Sequence, residues 1–172
     1  NGMRDFSRTD QVSEKAPYNI NTGIQNTLII AKNEYKYHAE IKTELGELAE
    51  ILCNAGQINQ VFLNMIVNAA HAIAGENRTE KGLIFIKTYF YGGNIFCEIA
   101  DDGPGIPDEI QGRVFDPFFT TKEPGKGTGL GLSISYDIIV QKHRGGIQLV
   151  SPNHLEGTKG TGATFIIRLP VT

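Results

Sequence analysis

The sequence predicts an α/β fold, a two-layer sandwich in which a mixed, mostly antiparallel sheet of about five strands packs on about three helices. Three observations carry that expectation. Helical and strand-like periodicities are interspersed along the 172 residues. Two strand-like runs are joined by a hairpin signature, and one long helical segment is apolar around most of its circumference, so it must lie against another layer. A chain of this length holds one domain with a real core, or one domain and a short appendage.

The elements follow in order. Residues 1–19 are polar and weakly periodic, with Met3 and Phe6 the main apolar residues before Lys15-Ala16-Pro17. They read as the tail of a helix from an upstream element followed by a linker, which leaves residues 20–172 as the domain proper. Asn21 is placed to cap a helix over residues 22–32, where Ile20, Ile24, Leu28 and Ala31 recur at helical spacing. A strand over residues 39–44 precedes an irregular stretch to residue 52. Residues 57–74 form the most apolar helix of the chain. Residues 83–90 and 95–101 are rich in branched and aromatic side chains and flank Gly92-Gly93-Asn94, which predicts an antiparallel hairpin. After a long loop come a helix over residues 130–142, a strand over 147–151 and a last strand over 163–169, stopped by Pro170.

Composition narrows the function. Sixteen Lys and Arg against nineteen Asp and Glu give a net charge of -3, which offers no basic field for nucleic acid or an anionic membrane. No apolar run reaches the roughly eighteen residues of a membrane-spanning helix, so this stretch of chain is expected to be soluble. Cys53 and Cys97 lie in apolar runs, which argues for a reducing compartment and against a disulfide scaffold. The four histidines, His38, His71, His143 and His154, show no metal-ligand spacing. No Ser, His and Asp set suggests a nucleophilic site.

Glycine is the excess. Twenty of 172 residues is more than a tenth, against a usual share of about 7%. Nine of them fall in three groups: Gly103 and Gly105; Gly125, Gly127, Gly129 and Gly131; and Gly157, Gly160 and Gly162. One such group is ordinary turn chemistry. Three of them at the ends of regular elements suggest backbone brought close to a ligand.

The apolar helix carries Gln60, Asn64 and Asn68 at successive steps of four, which stacks three carboxamides on one face. Burying them unpaired would cost about 1–3 kcal/mol each, so the stripe must meet water, a polar network or a ligand. A carboxamide oxygen is a hard donor suited to Mg²⁺, which reaches proteins through one or two oxygen ligands and nucleotide phosphates. His71, three residues past Asn68, is within reach of the same place. Asp101 ends a strand as the chain breaks into Gly103-Pro104-Gly105; it could accept from an exocyclic amine such as that of adenine, or simply start a turn. The run from Gly125 to Gly131 leads into a helix and offers backbone N–H groups to phosphate, with Lys122 and Lys126 supplying charge. It is neither a P-loop nor the dinucleotide fingerprint. Between these groups, Phe115, Phe118 and Phe119 flank Pro117, either as anchors of a lid or as local packing.

The order of these boxes, an asparagine helix, Asp101-Asp102-Gly103-Pro104-Gly105, Asp116-Pro117-Phe118-Phe119-Thr120-Thr121-Lys122, the glycine run and a terminal Gly160-Thr161-Gly162-Ala163-Thr164-Phe165, resembles the ATP-binding catalytic domain of sensor histidine kinases. That domain has the Bergerat-type fold shared with gyrase, MutL and the heat-shock 90 chaperones. The resemblance covers about residues 20–172, and the style of Asn68-Ala69-Ala70-His71-Ala72-Ile73 is similar to the nitrogen-regulation subtype.

The resemblance implies roles. Asn68 would hold Mg²⁺, Asn64 would face the γ-phosphate, and both would act in catalysis with Lys122. Asp101 would read the adenine amine, with Gly103, Gly105 and Ile106 shaping the base pocket and Thr164 near the base through water. Phe119, Lys122, Lys126, Gly127, Thr128, Gly129, Leu130, Gly131 and Leu132 would enclose the phosphates, and His71 stands where many family members have Lys or Gln. ATPases of the superfamily place Glu at the position of Asn64 as a general base, and a carboxamide cannot take a proton. Phosphoryl transfer to an outside nucleophile is therefore favoured over hydrolysis.

In the family the acceptor histidine lies on a separate dimerising hairpin and is followed by an acidic residue; here the four histidines are followed by Ala, Ala, Arg and Leu. The implied partners are ATP, that hairpin in a homodimeric, cytoplasmic or membrane-anchored parent, and the receiver domain of a response regulator. The alternatives are an ATPase of the gyrase and MutL branch and a non-catalytic nucleotide-binding module.

Overall fold

The computed structural model describes residues 14–117, 119 and 131–171. The strands are β1 (Ala16–Tyr18), β2 (Ala39–Leu45), β3 (Ile51–Cys53), β4 (Gly82–Tyr91), β5 (Asn94–Asp101), β6 (Gly146–Val150) and β7 (Thr164–Pro170). The helices are α1 (Ile20–Ile30), α2 (Lys32–Tyr35), α3 (Ala55–Ala74), α4 (Asp108–Gln111) and α5 (Gly131–Tyr136), the last continued by π-helical turns over Asp137–Lys142. Five strands form one sheet in the order β2-β4-β5-β7-β6, in which only the β2–β4 pair is parallel. The mixed, mostly antiparallel two-layer sandwich expected from the sequence is the fold observed.

The core lies between one face of this sheet and α1, α3 and the α5–π segment. From α3, Ile58, Phe62, Met65 and Ile66 are fully buried, and they meet Ile84, Ile86, Ile99 and Ile167 of the sheet. Strand β4 alternates strictly in burial from Gly82 to Tyr89, because among the described residues no layer covers the second face of the sheet. The β4–β5 hairpin closes through Gly92-Gly93 with Tyr91 opposite Asn94, as its signature predicts. Cys53 and Cys97 are both buried and free; burial pushes the Cys53 thiol up to about 11, which leaves it protonated and inert.

Four local expectations are revised. Helix α1 begins at Ile20, and its cap is Asn19, whose Oδ1 accepts from the Asn21 and Thr22 amides at 2.8 and 3.4 Å. Asn21 instead holds the loop after β2: its Nδ2 donates to Gly46 O at 2.7 Å and its Oδ1 accepts from the buried Thr88 hydroxyl at 2.8 Å. The stretch before α3 is not irregular throughout, since β3 pairs antiparallel with β1 in a separate ribbon. Strands of three residues are too short to show a period, and Pro17 within β1 argued against one. The helix after the glycine run widens into π turns at Asp137, and α2 and α4, of four residues each, fall below the length at which periodicity registers. Among the described residues no helix is long and apolar enough to cross a membrane.

Candidate functional site

A cavity of about 1260 Å³ opens between α3, the end of β5, the loop into α4 and the start of α5. It brings together Asn64, Asn68 and His71 from α3, Asp101, Gly105 and Ile106 from the strand end and its loop, and Phe119, Gly131 and Leu132 from the segments beyond. Boxes up to 101 residues apart, from Asn64 to Phe165, thus line one cavity. Lys122, Lys126, Gly127, Thr128, Gly129 and Leu130 lie outside the described residues.

The carboxamide stripe divides. Gln60 is exposed and meets water. Asn64 is half-buried, and its Nδ2 donates to Gly131 O at 3.2 Å and to the Ser135 hydroxyl at 3.4 Å. Asn68 is half-buried on the cavity wall. Gln60 thus meets water, Asn64 a polar network, and Asn68 the open cavity. The interaction of Asn64 also fixes α3 against the first residue of α5, so the helix that follows the glycine run starts at the cavity. His71 is exposed at the rim, and its Nε2 lies 3.1 Å from Glu34 Oε1 on α2.

The opposite end is a carboxylate set in backbone. Asp101 is 6% exposed, and its Oδ1 accepts from the Gly103 amide at 2.8 Å. Its main chain is held as well: Asp101 N donates to Ala163 O at 2.9 Å, and Asn153 Nδ2 donates to Asp101 O at 2.8 Å. Burial pushes its pKa up to about 6, against the lowering effect of the Gly103 and Ala163 amides; Asp102 and Glu76 raise it further. Asp102 behaves oppositely. Burial raises it, but the Arg78 guanidinium, at 2.8 Å from Oδ1, and the Leu83 amide, at 2.9 Å, outweigh burial and hold it below the usual range.

The loop after Asp101 is sutured to the segment before β7. Ser151 Oγ accepts from the Ile106 amide at 2.9 Å and donates to Gly162 O at 3.0 Å. Thr161 Oγ1 donates to Gly103 O at 3.3 Å, and Gln111 Nε2 donates to Ile106 O at 2.8 Å and to Ser151 O at 3.1 Å. Two glycines make this approach feasible. Gly105 has φ +79°, and a Cβ there would strike Thr161 O; at Gly162 a Cβ would overlap Asp101 O.

Some sequence expectations shift. Gly103 does not line the cavity but supplies the amide that orients Asp101. Thr164 is buried and is not among the lining residues, whereas Ala163 and Phe165 on either side of it are; alternation turns Thr164 to the other face. Thr161 and Ser151 line the cavity and were missed. Thr161 stood inside the third glycine group, which was the available signal; Ser151 and Asn153 had none. The aromatics separate. Phe115 packs into the core against Phe165, with centroids 6.1 Å apart, and against Tyr136 at 5.5 Å. Phe119 lines the cavity beneath the Arg113 guanidinium, 4.9 Å from its ring centre, and Phe118 lies outside the described residues.

This arrangement can accept an amine at a desolvated carboxylate at one end and offer neutral carboxamides at the other. Comparison with known proteins gives the family. Residues 53–172 match the family model described as histidine kinase-, DNA gyrase B-, and HSP90-like ATPase. The chain is similar to the signal transduction histidine-protein kinase AtoS of Escherichia coli (strain K12), 35% identical over 98% of this chain and 26% of that protein. It is similar to the sensory histidine kinase/phosphatase NtrB of Vibrio alginolyticus, 41% identical over 99% of this chain and 45% of that protein. The chain therefore spans between a quarter and a half of these two relatives. Among solved structures, the nucleotide-free catalytic domain of histidine kinase ThkA superposes with a TM-score of 0.76 at 29% identity, covering 92% of this chain and 99% of that one.

Proposed function

The chain belongs to the family of histidine kinase-, DNA gyrase B- and HSP90-like ATPases, and from that premise we propose that it is the ATP-binding catalytic domain of a sensor histidine kinase. It binds ATP with Mg²⁺ and passes the γ-phosphoryl group to a histidine on a dimerisation hairpin. The hairpin then serves a response-regulator receiver domain. The observation that carries this reading is Asn64. It sits on the cavity wall where an ATPase of the superfamily would need a general base, and as a carboxamide engaged with Gly131 O and Ser135 it can take no proton.

Each end of the cavity has a task. Asp101 accepts the adenine amine, with Gly105 and Ile106 beside the base and Thr161 bracing the loop. The start of α5 at Gly131 and Leu132 faces the phosphates, with Phe119 covering them, and the preceding Lys122, Lys126, Gly127, Thr128, Gly129 and Leu130 are assigned to the same ligand from the sequence. Asn68 would hold the Mg²⁺. The donor chemistry fits, since one neutral oxygen suits a cation delivered with the nucleotide; no group of three or more His, Cys, Asp or Glu among the described residues could hold a metal. Bound there, Mg²⁺ would supply charge neutralisation on the triphosphate. In the transfer itself the acceptor imidazole nitrogen forms a bond to the γ-phosphorus as the bond to the β,γ-bridging oxygen breaks, and ADP leaves. Asn64 orients the γ-phosphoryl without activating water.

Residues 1–15 are proposed as the tail of the acceptor hairpin and its linker, a boundary earlier than residue 19 because Ala16–Tyr18 pair with β3 and Asn19 caps α1; the need for ATP supports a cytoplasmic setting. The parent is proposed to be a homodimer of the nitrogen-regulation subtype, which the likeness to NtrB supports. The test is incubation of the chain with labelled ATP, Mg²⁺ and a dimerising hairpin from the same parent. Label on the hairpin that is lost in acid and survives base is the expected result. Absence of transfer, with ATP hydrolysis by the chain alone that disappears when Asn64 is changed, would assign it to the ATPase branch instead.

A further inference from the structure

His143 is buried, 5% exposed, and lies away from the cavity, yet both of its ring nitrogens are engaged. Nε2 lies 3.0 Å from the backbone nitrogen of Asn54, and Nδ1 lies 2.8 Å from Ile138 O. The chemistry of the partners decides the tautomer. A backbone N–H can only donate, so Nε2 is the bare acceptor; a carbonyl can only accept, so Nδ1 carries the proton. The ring is neutral. Protonation would set Nε2–H against the Asn54 N–H. Burial pushes the imidazole pKa down, aided by Lys15 and Lys142, against the raising effect of Ile138 O.

The two partners belong to the two helices that build the cavity. Asn54 is the N-cap of α3, its Oδ1 accepting from the Gln57 amide at 3.0 Å. Ile138 lies in the π turns that continue α5, and the next carbonyl, Ile139 O, is taken by the Gly145 amide at 2.7 Å. At the cavity the same two helices are joined by Asn64 to Gly131 and Ser135. Position falls along α3 from 64 to 54 as it rises along the other from 131 to 143, so the helices run antiparallel with a clamp at each end. Ten residues of α3 place these clamps about 15 Å apart. Apolar packing of Ile138 and Ile139 against the α3 core holds the helices together without direction, and the two polar clamps add a specific register at each end.

We infer that His143 is a positioning residue for the nucleotide site, a neutral imidazole strut that sets the register of α3 against the α5–π segment and so places Asn64 and Asn68 opposite the start of α5. The inference rests on the proposed nucleotide site for its effect on ATP. The tautomer and the helix register do not depend on it.

The experiment uses the 172-residue chain. Nitrogen NMR of the histidine side chains in the nucleotide-free protein should show His143 with a protonated Nδ1 and a bare Nε2 through neutral pH; a protonated Nε2 would overturn the strut. In His143→Gln the side-chain oxygen reaches the Asn54 amide and replaces the acceptor, whereas His143→Asn keeps a polar group near Ile138 O without that reach. Mg-ATP affinity should be near wild type in the first and fall about tenfold in the second. A core variant of matched melting temperature on the sheet, Ile95→Val or Ile95→Ala as the match requires, should keep its affinity. Equal affinities for the Gln and Asn variants, or an equal loss in the core control, would show that His143 contributes only general stability. If the wild-type chain fails to bind ATP, the proposed function fails while the NMR result still decides the strut.

Discussion

The two ends of the cavity are built on opposite principles. At the Asp101 end a charge is already stripped of water and tied into backbone: the carboxylate accepts from the Gly103 amide, its own main chain is held by Ala163 and Asn153, and Ser151, Thr161 and Gln111 lace the adjoining loop. At the α3 end the groups are neutral carboxamides and an exposed histidine, set on one helix. The first arrangement suits recognition of a small, uncharged hydrogen-bonding edge, for which geometry must be rigid. The second suits a triphosphate, whose own charge and cation supply the electrostatics, so the protein need only orient.

The largest effect should come from the rigid end. Asp101→Asn keeps an acceptor for the Gly103 amide but loses the charge, and ATP affinity should fall about 30- to 100-fold by calorimetry. The pH dependence should vanish with it. Because the ionised carboxylate is the better acceptor, wild-type affinity should fall as pH drops through about 6, where Asp101 titrates; the Asn variant should show no such step. Stability should move the other way. A carboxyl raised from 3.8 to about 6 in the fold binds protons more tightly folded than unfolded, so its contribution is fully present below about pH 4 and lost as pH rises through 6. At pH 7 the ionised Asp101 therefore burdens the nucleotide-free fold, and the Asn variant should unfold at higher temperature, by up to about 3 kcal/mol in stability. An unchanged affinity would remove Asp101 from the base contact and with it the contrast between the two ends.

Next comes the orienting end. Asn68→Ala should reduce phosphoryl transfer to a supplied hairpin about 100-fold, with the melting temperature little changed because the side chain is only half-buried. A wild-type transfer rate would leave Asn68 without a role at the phosphates. Smaller still is the brace behind Asp101. Arg78→Ala leaves Asp102 with the Leu83 amide alone and should cost about 1–2 kcal/mol of stability, read by denaturant unfolding, while ATP affinity changes less than threefold. A large loss of affinity would mean that the brace and Asp101 act as one unit. The smallest effect is far from both ends: Arg144 has φ +58°, so Arg144→Gly should relieve strain and stabilise the fold by at most about 1 kcal/mol, with ATP binding untouched.

The legibility of the sequence followed the same division. Asn64, Asn68 and His71 stand out because helical spacing displays them on one face, and the strand-to-glycine break marks Asp101 without any alignment. The residues that hold Asp101 were opaque. Ser151, Asn153 and Thr161 lie at least 50 positions along the chain from it, and nothing local to them announces that a loop will be sewn to another. Thr164 shows the same limit at closer range: one position of strand alternation separates a lining residue from one on the opposite face. Of His143 the sequence showed only the absence of metal-ligand spacing; its two partners could not be read, since Asn54 lies 89 residues away.

Local chemistry determined the elements and their types: the alternation of β4, the hairpin at Gly92-Gly93, the apolar circumference of α3 and the glycine groups that free the backbone to approach a ligand. Those signals arise within a few turns of chain, where periodicity and dihedral preference act. Only the tertiary structure decided which carboxamide meets water and which meets the cavity, that Asp101 is desolvated while Asp102 beside it is paired, and that a buried imidazole ties α3 to the segment after α5. The reason is that burial and hydrogen-bond partnership are properties of distant residues brought together, and a sequence window holds only one of the two partners.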